Sequence, residues 1–258
     1  MNNYFISDLK EHVGSLASSS GYVPHFKQYE ITEIEGKEYL VGYEHKNKKG
    51  PVVHSSPKLL FDFVGLVAPP LPHWLKNNNK APMKKALPDK RLIKFCKKYG
   101  LPYVENSESG HCIELEHFRW RISRLYSYFR VWQAVFTGHD EDGYLKQYTQ
   151  SPLVGGKRDQ VNKCLALEVS LIVNNNKIHL EYDEAAGRFV LGIAARNLID
   201  IAYFHLANLL TYENKYIKQH LKKCNNPRCS QLFWADHGRK KYCEYCDRRV
   251  VHAQQGSK

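Results

Sequence analysis

Cys224, Cys229, Cys243 and Cys246 stand in two close pairs, a C-x4-C and a C-x2-C separated by thirteen residues. Two short-spaced thiol pairs suit a tetrahedral zinc ion, because each pair chelates from one tight turn and the segment between brings the turns together. Two disulfides are the poor alternative in a reducing cytosol. With all four ligands thiolate, no coordination position is left for water, so the expected ion is one structural Zn2+ and not a catalytic one. His220, His237 and His252 flank the pairs, and a complete set of sulfurs leaves them no vacancy. Cys96, Cys112 and Cys164 stand singly in apolar-patterned segments, as inert core thiols do.

Charge gathers at the same place. The chain carries 38 Lys and Arg against 26 Asp and Glu, a net charge of +12. Residues 215–258 alone hold eleven cations and three acids, so +8 of that excess lies in the last sixth of the chain. A balance this basic points to a polyanionic partner. Arg239, Lys240 and Lys241 precede the second cysteine pair and Arg248 and Arg249 follow it, so a metal turn would present five cations from one rigid module. These are the candidate phosphate contacts, with an affinity that falls as salt rises. Basic zinc modules also bind proteins; nucleic acid is the favoured partner here. Leu232 and Phe233 are expected to fill the small core of the finger, with Tyr242 beside the second pair.

The rest of the chain must carry this module. With 258 residues, 43% of them hydrophobic and 12% aromatic, the chain can bury a core without disulfide staples, and disorder is excluded. No apolar run reaches the length of a bilayer-spanning helix, and no secretory signal is legible, so the expectation is a cytoplasmic protein with no membrane partner. Residues 29–34 and 38–43 alternate across Gly36 as a β-hairpin, and residues 178–182 and 188–193 repeat that pattern. Pro57 opens a buried helix over Lys58–Val67. A polar, basic, Pro-punctuated loop covers residues 76–88. Pro88 and Asp89 start a helix that Gly100 stops, with Leu92, Phe95, Cys96 and Tyr99 on one face. Its other face is a lysine and arginine stripe, read as solvated in preference to nucleic-acid binding.

Residues 112–137 are the longest periodic stretch and predict a central helix, in which Ile113, Phe118, Ile122, Leu125, Phe129, Trp132 and Phe136 recur. The interspersed Arg119, Arg121, Arg124 and Arg130 read as stems packed along that helix, in preference to base-stacking groups. A loop is expected over 138–156, then helices over 158–173 and 197–216. The predicted class is α+β, helix-dominated: a flexible lead-in over 1–20, a mainly helical body with two β-hairpins over 21–216, and a four-cysteine zinc finger over 217–258.

Catalytic constellations are sparse. There is no H-E-x-x-H, no Gly-rich phosphate loop and no G-x-S-x-G. Glu35-Gly36-Lys37 and Glu44-His45-Lys46 have the E-x-K form of metal-dependent nucleases, a pattern common by chance. The expectation is a non-enzyme.

The stretch from Cys224 to Arg249 resembles the CGNR-type zinc finger that ends a mainly helical domain in bacterial proteins. The resemblance rests on the C-x4-C pair, Leu232–Asp236, the basic run before Tyr242-Cys243, and Cys246-Asp247-Arg248-Arg249, where Asp and Arg replace Gly and Asn and the last Arg is kept. It implies a DNA-binding transcriptional regulator, with DNA preferred to RNA. It leaves room for a homodimer and for a small-molecule effector bound by the body. The alternatives are an RNA-binding or protein-interaction module, for example in phage defence, and a metal-dependent nuclease.

Overall fold

A computed structural model describes residues 25–45, 57–67, 86–103, 112–140, 143–150, 160–173, 177–183, 188–194, 197–211, 219–226, 229, 232–235, 238–243 and 246. The lead-in over 1–20, most of the basic loop, and Arg248 and Arg249 lie outside the described residues. Six α-helices and three small antiparallel sheets are present among them, a helix-dominated α+β fold.

Strands β1 (Phe26–Ile34) and β2 (Lys37–His45) form the first expected hairpin, with Ile34 opposite Lys37. Glu35 and Gly36 both take positive φ, 52° and 75°, the two-residue turn whose twist matches the strands it joins. A Cβ at Gly42 would run into the Phe26 ring, so only glycine lets β1 and β2 close there.

Helix α1 (Lys58–Leu66) begins after Pro57, whose carbonyl takes the first helical hydrogen bond from Phe61 at 3.2 Å. Leu59 through Leu66 are all buried, as an element apolar on every side must be. Helix α2 (Asp89–Tyr99) has Pro88 before it and Gly100, at φ 85°, after it. Leu92, Phe95 and Cys96 are buried, Lys90, Lys94 and Lys97 face outward, and Lys98 reaches the buried Asp62 carboxylate of α1 at 2.8 Å. Arg91 reaches instead to the carbonyl of Gly65 at 3.1 Å, placing a cation on the negative end of α1.

The predicted central helix divides. Residues Cys112–Glu114 form β3, paired with β2 so that Ile113 lies opposite Leu40, and α3 (Leu115–Thr137) follows. Ile113 therefore belongs to a strand, because the open edge of β2 offers backbone partners that local periodicity does not reveal. A second correction lies in the expected loop. Residues Tyr144–Thr149 form α4, where the Asp140 carboxylate accepts the amides of Leu145 and Lys146 at 3.1 and 2.8 Å and Tyr144 packs on Tyr126. Helices α5 (Val161–Val173) and α6 (Leu198–Thr211) flank the second hairpin, β4 (Lys177–Asp183) with β5 (Arg188–Ala194). Asn197 caps α6 by accepting the Asp200 amide at 2.9 Å.

Helix α1 lies against α2, α3 and α6, and its rings join theirs: Phe63 meets Phe95 at 4.3 Å and Phe61 meets Phe129 at 5.3 Å. The arginines of α3 are engaged within the body. Arg119 is buried between Glu38 at 2.9 Å and Asp89 at 2.7 Å, tying β2, α2 and α3 together. Arg121 pairs with Asp200 at 3.4 Å, and Arg130 lies over the rings of Tyr126 and Tyr144.

Two outcomes follow from this packing. Arg119→Ala strands two half-covered carboxylates beside the core and lowers unfolding free energy in urea by about 2–3 kcal/mol. Lys37→Ala, which removes a solvent-screened surface pair with Glu114 at 3.0 Å, leaves it unchanged within the error of the same melt. His205 on α6 is 2% exposed, and burial holds its imidazole down at about 4. The unfolded chain binds that proton more readily than the native one. Stability is therefore whole above the unfolded value of about 6.5 and declines as pH falls from there through 4. His205→Leu flattens that decline in a pH series of urea melts.

Candidate metal centre

The finger is built on a third pair of strands, which the sequence did not show. Strand β6 (Leu221–Lys223) runs directly into Cys224, and β7 (Leu232–Trp234) returns beside it with Leu221 opposite Trp234 and Lys223 opposite Leu232. The Ala235 amide closes the ladder onto the His220 carbonyl at 2.8 Å. Alternation along β7 then sends neighbouring side chains to different cores. Phe233 packs with Ala235 and the cysteines, while Trp234 enters the core of the body and Leu232 packs at its margin. Leu232 was expected in the core of the finger; its strand position turns it away.

Trp234 is the anchor. Its ring lies 5.8 Å from Phe61 of α1 on one side and is stacked on His220 at 5.0 Å and 10° on the other. His220 Nδ1 lies 3.2 Å from the Ala235 carbonyl, so this ring acts in packing and not at the cysteines.

The two cysteine pairs meet. The Sγ atoms of Cys224, Cys229, Cys243 and Cys246 all lie within 4.8 Å of one another, the first three buried and the fourth half-buried. The Cys229 and Cys243 sulfurs are 3.6 Å apart. That is far beyond a disulfide bond of about 2.05 Å and close to the edge of about 3.8 Å that a tetrahedron with four 2.3 Å metal–sulfur bonds requires. These four cysteines can hold a metal ion.

Backbone and side-chain hydrogen bonds set the sulfurs. The Cys229 amide donates to the Asn226 carbonyl at 2.9 Å, forming the first turn, and the Cys246 amide donates to the Cys243 carbonyl at 3.2 Å, forming the second. The Asn225 amide donates to the Lys241 carbonyl at 2.9 Å and binds one turn to the other. Asn226 Nδ2 donates to Cys246 Sγ at 3.3 Å and the Cys243 amide to Cys224 Sγ at 3.5 Å. Such N–H donors are what outer partners of a metal thiolate provide. Asn226 was missed in the sequence, although a short amide inside a C-x4-C turn was its signal.

Without a cation the cluster favours protons. The hydrogen bond with Cys229, followed by burial, pushes the Cys243 thiol far up, and burial pushes Cys246 to about 11. A divalent ion replaces those protons, so binding releases them and strengthens as pH rises.

Of the candidate phosphate contacts, Arg239 and Lys241 are exposed beside the cluster. Lys240 is half-buried, with its ammonium 5.8 Å from the Phe233 ring, and Lys222 Nζ donates to the Gly238 carbonyl. Arg248 and Arg249 lie outside the described residues. The nuclease pattern at Glu35 and Lys37 falls on the β1–β2 turn, where Lys37 pairs with Glu114. Among the described residues, the four cysteines are the group close enough to share an ion. Comparison with protein-family models, with curated proteins and with solved structures finds no match.

Purified protein is expected to carry one metal ion per chain by native mass spectrometry, and chelation to release it faster at pH 6 than at pH 8. Cys243→Ser removes a buried ligand and abolishes retention. Cys96→Ser, in the core of the body, leaves the metal count unchanged.

Proposed function

We propose that the cluster holds one structural Zn2+ and that the finger built around it binds nucleic-acid phosphates, with duplex DNA as the first partner. The observation that carries this reading is the coincidence of four convergent sulfurs with the segment holding +8 of the chain's net +12. Soft thiolates in a closed four-sulfur set select zinc among common divalent ions and leave no position for a substrate. The ion and four thiolates together add two negative charges, too few to cancel the cations around them. Arg239 and Lys241 stand exposed on the module, and Arg248 and Arg249 follow the last ligand in sequence.

Metal binding supports phosphate contact by reducing entropy loss. Cations on a loose tail must be ordered on the partner, whereas cations on a turn fixed by four bonds are ordered beforehand. Trp234 of β7 packs on Phe61 of α1, which seats the finger against the body. Together with the likeness to CGNR-type fingers, this supports a DNA-binding regulator. No catalytic role is assigned to the centre.

Replacing Arg239 and Lys241 with Ala weakens duplex binding in fluorescence anisotropy, and adding Arg248→Ala and Arg249→Ala weakens it further. The slope of log affinity against log salt becomes shallower by about 0.9 for each phosphate that the variant no longer neutralises. Affinity and slope unchanged in the fourfold variant overturn the reading. Single-stranded RNA outcompeting duplex DNA at one salt concentration assigns the same surface to RNA handling instead.

A further inference from the structure

The body carries a cleft of about 550 Å3 between α3, α5 and α6, lined by Arg121, Arg124, Glu168, Leu171, Ile172, Asn197 and Asp200. That volume falls within the roughly 300–1,000 Å3 of small-molecule sites. None of its lining residues belongs to the finger.

The lining charges divide into one satisfied pair and one separated pair. Asp200 takes Arg121 Nη2 at 3.4 Å on one oxygen and Asn197 Nδ2 at 2.9 Å on the other. Arg124 and Glu168 line the same cleft without forming an ion pair. Arg124 Nε and Nη2 both donate to the Tyr128 hydroxyl, at 3.2 and 3.1 Å, which turns that edge of the guanidinium away from Glu168. Among the described residues Arg124 Nη1 makes no hydrogen bond, although the guanidinium is exposed at the cleft. The Tyr148 hydroxyl, buried without a hydrogen-bond partner, lies near the same carboxylate. Burial, and then Glu168, push that phenol far up, so it remains a neutral donor. Leu171, 60% exposed, and Ile172 form an apolar wall beside the two charges.

A cation and an anion kept from touching, each with hydrogen-bonding capacity to spare, fit a ligand that carries both opposite charges. We propose that this cleft binds a small zwitterion of the amino-acid type with an apolar side chain. Its carboxylate would lie on the open edge of the Arg124 guanidinium, its ammonium toward Glu168, and its side chain against Leu171 and Ile172. Two arginines and two acids leave the cleft with no net charge, which disfavours a dianion such as a phosphate ester and favours a neutral molecule of separated charge. The planar fork of Arg124 suits a carboxylate, and the guanidinium is already held by the Tyr128 hydroxyl at one edge and lies 5.7 Å from the centre of the Trp120 ring. This site is independent of the metal centre and of the nucleic-acid reading.

The test is titration calorimetry on the full chain with L-leucine, with isovalerate, which lacks the ammonium, and with isoamylamine, which lacks the carboxylate. L-leucine is expected to bind, and each singly charged analogue to bind weaker by roughly tenfold or more. Arg124→Gln weakens L-leucine by a similar factor. Glu168→Gln does so for L-leucine while leaving isovalerate unchanged, a split that mere loss of structure does not produce. Arg130→Gln, on the same helix but away from the cleft, serves as the folded control. The proposal is overturned by any of three results: isovalerate or isoamylamine binding as tightly as L-leucine, full affinity in Arg124→Gln, or no heat from L-leucine, L-isoleucine, L-valine, L-methionine and L-phenylalanine at about 10 mM, far above the affinities of typical specific sites.

Discussion

Four thiol sulfurs drawn within 4.8 Å of one another repel as soon as they ionise, so the set either keeps its protons or surrounds a cation. The described residues of the C-terminal module are arranged around this constraint. The two turns are pre-shaped by their own backbone hydrogen bonds, the Asn225–Lys241 bond joins them, and Asn226 and the Cys243 amide direct N–H groups at sulfur. Such donors suit a thiolate better than a neutral thiol. The four sulfurs can hold a metal ion without further rearrangement of these turns.

The finger is not suspended from the body by a flexible connection at β7. Adjacent residues of that strand face two cores, Phe233 the cysteines and Trp234 the rings of Phe61 and His220. One residue of backbone thus separates a side chain packed on α1 from one packed on the cysteines. The body is itself cross-tied by Arg119, whose two carboxylate partners come from β2 and α2.

The legible parts were those with a local cause. Cysteine spacing marked the sulfurs that converge, period-two runs around Gly36 marked the first hairpin, and Pro57, Pro88 and Gly100 punctuated α1 and α2. Arg119, Arg121 and Arg130 of α3 pack or pair within the body, as their place among apolar residues at helical spacing suggested, whereas Arg124 stands exposed. What failed had a distant cause. Strand β3 forms because β2 has an open edge, and α4 forms because Asp140 caps it while Tyr144 finds Tyr126. Leu232 and Trp234 could not be assigned to the body until β6 and β7 were seen to pair. The meeting of Arg124 and Glu168 in one cleft depends on two helices packing, and no spacing within either one encodes it.

X-ray absorption at the zinc edge of the purified, full-length chain tests the central claim most directly. The account predicts a single shell of four sulfurs at about 2.3 Å, with no nitrogen or oxygen ligand. A shell containing imidazole or water, or an edge too weak for one ion per chain, would contradict it.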